Sequence, residues 1–134
     1  NARRAKAIFE ALAKASSQGL VAAIHDCSEG GIGVAAAEMA FSGGLGMDLF
    51  LKEVPAQLDR NDTLLFSESH SRFIVEVGAA HQKAFERILK DLPLGLAGCI
   101  TQSDTFRVFG LNGKPCVQAS LKDLKAAWQR PLQW

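Results

Sequence analysis

Residues 20–41 constrain the fold more than any other part of the chain, because three patterns follow one another there without a gap. Residues 20–24 are a short apolar run of the kind that forms a strand buried on both faces. A polar turn with two adjacent glycines comes next, and the small apolar residues at 31–41 predict a helix. A strand that passes through a tight turn into a helix is typical of α/β proteins.

Hydrophobic periodicity and turn residues predict the remaining elements. Helices are predicted at 2–17, where Ala5, Ile8, Phe9 and Leu12 form an apolar stripe, at 79–91, and after Ser120, which with Asp123 resembles a capping box. Further strands are predicted at 45–51, 73–77, 96–101, 105–110 and 115–119. Asn112-Gly113 is a hairpin signal, and residues 53–63 are predicted as a loop. This order predicts one α/β (α+β) domain over residues 1–134, a mixed β-sheet with helices packed on it.

The composition is that of an ordinary globular domain. Of the 134 residues, 48% are hydrophobic and 22% are charged, which argues against a disordered or fibrous chain. Fifteen Lys and Arg residues oppose fourteen Asp and Glu residues, and these charges are scattered along the chain. No apolar run approaches the length that spans a bilayer. The sequence therefore predicts neither a nucleic acid nor a membrane as a partner.

The three cysteines are Cys27, Cys99 and Cys116. They are widely spaced, odd in number and form no C-x-x-C pair, which argues against a disulfide framework and against a thiolate zinc site. We therefore expect a reducing, cytoplasmic setting.

The polar turn at residues 25–31 is the first candidate site, because it lies where a strand ends and a helix begins. Gly30 and Gly31 let the backbone approach a phosphate closely, and the free N–H groups of the new helix point toward it. Asp26 offers a carboxylate oxygen to Mg²⁺, and Ser28 offers a hydroxyl. The turn thus indicates a phosphate or nucleotide site.

Simpler interpretations of the same residues stay open. Ser28 and Glu29 can cap the helix while the glycines form a tight turn. His25 alternates with apolar residues and is expected to be a hydrogen-bonded core histidine rather than a catalytic one. Glu38 lies in an otherwise apolar helix, where it either faces solvent or pairs with a nearby cation.

A second polar segment, residues 67–72, precedes the strand predicted at 73–77. The hydroxyls of this segment together with Glu68 and Arg72 can hold a phosphate or a sugar. Alternatively, Glu68 and Arg72 form a surface ion pair that contributes at most about 1 kcal/mol.

Taken in order, residues 25–31, 37–41 and 65–73 resemble motifs of phosphoribosylformylglycinamidine synthase, and more broadly the C-terminal domain shared by the aminoimidazole ribonucleotide synthetase superfamily. The resemblance implies one domain of a larger ATP-dependent carbon–nitrogen ligase of purine biosynthesis. Such an enzyme converts formylglycinamide ribonucleotide and glutamine-derived ammonia to formylglycinamidine ribonucleotide. Two alternatives are a non-catalytic nucleotide-binding or interaction domain, and the corresponding domain of selenophosphate synthetase or thiamine-monophosphate kinase. A third is a small acyl-transfer enzyme with Cys27 or a serine as nucleophile, against which stands the lack of a histidine positioned by sequence to activate them.

The resemblance also implies roles for individual residues. Asp26 would bind Mg²⁺, and Ser28, Gly30 and Gly31 would contact ATP or ADP. The substrate or phosphate loop would consist of Glu68, Ser69, His70 and Arg72. No catalytic residue is expected in the chain, because the catalytic histidine and lysine of the family belong to an N-terminal ATP-binding domain.

Partners follow from the same resemblance. They would be that N-terminal domain, a glutaminase subunit or domain, and formylglycinamide ribonucleotide. Separated from them, the chain is expected to be inactive and to expose an apolar face that favours self-association.

The family carries this kind of domain twice, and its working copy usually reads Asp-x-Gly-Ala-Gly/Ala-Gly in the first motif and Glu-Ser-Gln-Glu-Arg in the substrate loop. This chain has Ser28-Glu29 in the first motif and Glu68-Ser69-His70-Ser71-Arg72 in the second. It therefore resembles more closely the copy that accompanies a tightly held auxiliary nucleotide.

Overall fold

Five helices and six strands lie within residues 1–132, the part of the chain that the computed structural model describes. The helices are Ala2–Ser17 (α1), Gly31–Gly43 (α2), Asn61–Phe66 (α3), Gln82–Ile88 (α4) and Leu121–Gln129 (α5). The strands are Ala23–Asp26 (β1), Gly46–Phe50 (β2), Phe73–Glu76 (β3), Gly98–Thr101 (β4), Thr105–Phe109 (β5) and Pro115–Ser120 (β6). Short 3-10 turns occupy Leu51–Glu53 and Arg130–Leu132.

The described strands form two sheets. β1 and β3 make an antiparallel pair in which Asp26 lies opposite Phe73. The larger sheet has the order β4-β2-β5-β6, with β2 and β5 parallel and the other neighbours antiparallel. The predicted α+β fold with a mixed sheet is confirmed, although the strands are divided between two sheets.

Two hydrophobic clusters hold these layers together. The larger cluster lies between α2, α3 and one face of the four-stranded sheet, where Leu51, Leu64 and Val108 are almost fully buried. Ala35 and Ala36 are also buried there, since small side chains let α2 approach the sheet closely. The smaller cluster joins α1 to α4 and the β1–β3 pair. Each large apolar side chain that is fully buried contributes about 1.5–3 kcal/mol.

The two longest described helices differ in character: α1 is amphipathic, whereas α2 is largely apolar, with Glu38 its one charged residue, but has only 13 residues. α1, the longest of them, buries Leu12 and Ala15 and keeps its charged residues in solvent. Within residues 1–132, no helix combines the length and the apolar character needed to cross a membrane.

Most predicted elements are present, and the differences have physical causes. The strand predicted at 20–24 begins instead at Ala23, and Ile24 is 47% exposed rather than buried, because it packs into neither hydrophobic cluster. The loop predicted at 53–63 ends in α3, which begins at Asn61 where the Thr63 N–H donates to Asp62 Oδ1 at 2.8 Å. The helix predicted at 79–91 is shorter, Gln82–Ile88.

Candidate functional site

The two polar segments identified in the sequence line opposite walls of one pocket of about 620 Å³. Residues 26–29 form one wall and residues 68–72 form the other. They meet because β1 leads into the first segment, β3 follows the second, and the two strands pair. The volume lies within the range of about 300–1,000 Å³ that small-molecule sites occupy.

Gly31 sets the distance between these walls. Its φ is +65°, and a Cβ at this position would lie 2.6 Å from the carbonyl oxygen of Leu65 and 2.7 Å from that of Ser67. A side chain is therefore excluded both by the left-handed backbone and by the neighbouring chain. The first turn of α2 consequently rests directly on the backbone that leads into the second segment.

Glu68 closes the N-terminus of α2. Its Oε1 accepts a hydrogen bond from the Gly30 N–H at 3.0 Å. Gly30 is the N-cap residue and has no side chain, so an acid from another segment takes its place, where the helix dipole favours negative charge. The interpretation in which Ser28 and Glu29 cap this helix is wrong.

Arg72 lies in the pocket wall without pairing to Glu68. Its Nη2 donates to the Ser67 carbonyl oxygen, so the predicted surface ion pair is absent from the part of the chain described. Arg72 Nε and Ser67 Oγ are buried and have no hydrogen-bond partner among residues 1–132. Ser71 has a φ of +63°, a conformation uncommon for a residue other than glycine. Unpaired buried polar atoms and left-handed residues of this kind occur often at binding sites.

Negative charge is in excess around the pocket, where Asp26, Glu29 and Glu68 outnumber the single guanidinium of Arg72. A free phosphate would be repelled there, whereas a phosphate that carries a metal ion would not. The described residues contain no group of three or more His, Cys, Asp and Glu arranged to hold a metal ion. Mg²⁺ nevertheless often takes only one or two carboxylates and completes its shell with phosphates and water. The exposed carboxylate of Asp26 fits one such ligand.

His25 lies behind this wall and is hydrogen-bonded, as predicted, although it is half-buried rather than in the core. Its Nε2 donates to Glu38 Oε2 at 2.7 Å, and its Nδ1 lies 3.4 Å from Asp26 Oδ1. The second oxygen of Glu38 accepts from the Trp128 indole Nε1 at 2.8 Å. Glu38 therefore connects His25 of β1 to Trp128 of α5. Nothing in the sequence indicated that Trp128 takes part in this contact.

The pocket also has an apolar side, which the sequence analysis missed. Phe9, Ile24 and Phe73 line it, and the Phe9 and Phe73 rings meet edge to face with centroids 5.7 Å apart. Phe9 belongs to the predicted apolar stripe of α1, but such a stripe does not indicate which of its side chains a neighbour covers. Phe9 is 52% exposed.

Cys27 borders the pocket but is almost fully buried. Burial raises the pKa of its thiol, while nearby Arg72 lowers that pKa and Asp26 raises it. The thiol is therefore protonated near neutral pH, which argues against Cys27 as a nucleophile.

Residues 1–109 match the family described as AIR synthase related protein, C-terminal domain, and the chain belongs to that family. Within it, the chain is similar to phosphoribosylformylglycinamidine synthase subunit PurL. It is 38% identical to PurL of Deinococcus radiodurans over 115 residues, which are 86% of this chain and 15% of that protein. It is 43% identical to PurL of Synechocystis sp. over 106 residues, which are 75% of this chain and 13% of that protein. The predicted resemblance is confirmed.

The solved structure of Thermotoga maritima PurL complexed with ATP has the same fold. The TM-score is 0.80 over 89% of this chain and 21% of that chain, at 24% sequence identity. At this identity the likeness establishes the fold. The chain spans only a small part of each of these relatives.

Proposed function

We propose that the chain is a nucleotide-binding C-terminal domain of phosphoribosylformylglycinamidine synthase, an ATP-dependent ligase of purine biosynthesis. The observation that carries the proposal is the meeting of both predicted motifs at one pocket of nucleotide size. The identities of 38% and 43% to PurL proteins support it. T. maritima PurL has been solved with ATP, ADP and FGAR, which makes these three ligands the ones to test.

The chemistry of the pocket residues suggests a separate binding role for each group of them. Asp26 supplies a carboxylate to Mg²⁺, and the ion offsets the excess negative charge that would otherwise repel phosphate. Ser28 lines the pocket and contacts the nucleotide beside the start of α2. Gly30 and Gly31, expected to contact it as well, do not line the pocket, and their N–H groups donate to Glu68 Oε1 and to the Ser28 carbonyl oxygen, so their part is to shape the turn. Opposite them, the substrate or phosphate loop consists of Glu68, Ser69, His70 and Arg72.

The reaction itself is proposed for the whole synthase rather than for this domain. There, formylglycinamide ribonucleotide and glutamine-derived ammonia yield formylglycinamidine ribonucleotide, with the N-terminal ATP-binding domain and a glutaminase subunit as partners. The solved T. maritima assembly PurLQS supports a complex of this kind. Residues 1–134 alone should show no ATP hydrolysis with formylglycinamide ribonucleotide and ammonia. Turnover that copurifies with the isolated chain would contradict this assignment.

The nucleotide held here is proposed to be the auxiliary, structural one. A ligand that binds only the native state stabilises it by about 2.7 kcal/mol at 100 times its dissociation constant. Asp26→Asn in the complete synthase should therefore lower the melting temperature and the amount of copurifying nucleotide, while the folded enzyme keeps nearly normal turnover. Asp59→Asn, in the loop before α3 and outside the pocket, is the matched control and should change none of the three.

Two outcomes would overturn parts of this proposal. A collapse of turnover with an unchanged melting temperature would assign Asp26 to the reaction instead. An Asp26→Asn enzyme that matches the wild type in bound nucleotide, melting temperature and rate would remove Asp26 from the site.

A further inference from the structure

We propose that the apolar side of the pocket, formed by Phe9, Ile24 and Phe73, is a subsite for the planar aromatic ring of a nucleotide base. The inference rests on the proposed function, since it gives the same nucleotide a place for its base. Phe9 and Ile24 lie outside the sequence motifs, and Phe73 is the last residue of the motif at 65–73.

The first support is the exposure of this apolar side. Leu12 and Ala15, on the same helix as Phe9, are 7% and 0% exposed, so α1 buries apolar side chains efficiently elsewhere. Phe9 and Ile24 are instead 52% and 47% exposed, and both line the pocket. Apolar surface that faces a polar-rimmed pocket is the usual composition of a small-molecule site.

The second support is the arrangement of the rings. The Phe9 and Phe73 planes are inclined at 77° with centroids 5.7 Å apart, an edge-to-face contact that fixes the orientation of both rings. About half of Phe9 stays accessible in this contact. A base that entered the pocket would therefore meet an oriented aromatic surface.

The third support is the position of this surface relative to the phosphate-binding groups. Phe73 lies opposite Asp26 in the β1–β3 pair, so the apolar side and the polar side meet at one pair of residues. A nucleotide requires this combination, because a charged phosphate end and a flat apolar end must be bound together. The pocket volume of about 620 Å³ accommodates both ends.

The test compares ATP with a ligand that lacks the whole nucleoside, and a variant at Phe9 then separates the contribution of the base from that of the ribose. Mg²⁺–ATP and Mg²⁺–tripolyphosphate, which has no base, are titrated by calorimetry into the chain and, in parallel, into the complete protein that contains it. Stacking of a base on an aromatic side chain strengthens binding by roughly tenfold. We expect ATP to bind about tenfold more tightly than tripolyphosphate.

Phe9→Leu keeps an apolar side chain of similar size and removes the ring. It should weaken ATP binding by about five- to tenfold and leave tripolyphosphate binding unchanged. Phe109→Leu is the matched control, because Phe109 lies in β5, outside this pocket and outside the sequence motifs. It should change neither affinity.

Each other result overturns the inference in a recognisable way. Equal affinity for ATP and tripolyphosphate in the wild type removes the base subsite and leaves the proposed function standing. Equal loss of both ligands in Phe9→Leu assigns Phe9 a structural role only. Sedimentation that shows self-association abolished by Phe9→Leu, with ATP affinity unchanged, makes the surface a protein–protein contact. Failure of both ligands to bind either protein overturns the inference and the proposed function together.

Discussion

His25 and Glu38 are joined by a hydrogen bond of 2.7 Å, and the remaining oxygen of Glu38 holds the indole of Trp128 at 2.8 Å. One carboxylate thereby connects β1, α2 and α5, which are separated along the chain. Asp26 directly follows His25, so the last helix is linked to the strand end that forms the pocket wall. The contribution of this connection to the free energy of unfolding can be measured without any ligand.

Glu38→Gln should lower the free energy of unfolding by about 1–3 kcal/mol, since an amide NH₂ would face an N–H donor and lose one hydrogen bond. Trp128→Phe should cost only about 1 kcal/mol, because it removes one N–H and keeps aromatic packing on Phe41. Urea unfolding measures both variants. Glu10→Gln, at an exposed pair on α1, is the control and should stay within about 0.5 kcal/mol of the wild type. A Glu38→Gln protein as stable as this control would refute the role of the carboxylate.

Gly31→Ala should destabilise the chain by about 2–4 kcal/mol, since it combines a strained left-handed residue with overpacking against two carbonyl oxygens. Gly43→Ala is the matched control near the other end of α2, where a Cβ meets nothing within 4 Å. It should be neutral or stabilise by about 0.5–1 kcal/mol, because alanine favours helix. Thermal or urea unfolding of the two variants decides the point, and equal effects would contradict the close contact at Gly31.

The pKa of Asp62 is lowered to about 2 from its ordinary 3.8, first by the hydrogen bond from Arg60 and then by the Thr63 N–H. A carboxyl whose pKa is lower in the folded state stabilises the fold where it is ionised, above the pKa of the unfolded chain. Its contribution is therefore complete above about pH 5 and is lost as the pH falls from about 4 to about 2.

Asp62→Asn tests this dependence. The difference in unfolding free energy between wild type and variant should be constant above about pH 5 and should shrink toward pH 2. Because the pair is exposed, added salt should reduce the difference as well. A difference that is the same at pH 2 and pH 7 would contradict the lowered pKa.

Alkylation should separate the three cysteines. Cys99 and Cys116 are exposed, whereas Cys27 is buried and the pKa of its thiol is raised. Iodoacetamide at pH 8 should modify the two exposed thiols within minutes and leave Cys27 largely unmodified until urea unfolds the chain. Peptide mass spectrometry identifies the labelled sites. Fast labelling of Cys27 in the native chain would show an accessible thiolate.

The local elements were predictable because their signals are local. Gly44 ends α2 in a left-handed conformation, and the Ser120 hydroxyl accepts from the Asp123 N–H at the start of α5. By contrast, α3 was missed because it has only six residues and follows a polar stretch without helical periodicity. Asp62, an acidic residue in the first turn after the N-cap Arg60, is the signal that the sequence offered.

The sequence indicated each of the two polar segments of the site but not that they lie on opposite walls of one pocket. Both polar segments were identified, but the strand pairing that brings them together joins residues about fifty positions apart. The capping of α2 by Glu68 depends on the same pairing, so capping rules for neighbouring residues assigned the role to Ser28 and Glu29. The exposure of Phe9 was not predictable, because periodicity shows which face of a helix is apolar and not whether its neighbour covers that face.

The close approach at Gly31 also bears on how this family can vary in sequence. The distance between the pocket walls is set where α2 touches residues 65–67, and not by the length of chain that connects them. Lengthening a flexible connection costs little free energy, so residues 55–60, which follow the 3-10 turn and the buried Val54, can gain or lose several positions without changing the pocket. Insertions in relatives should therefore concentrate in that connection. The distance between the two motifs in the folded domain should stay the same while the number of residues between them varies.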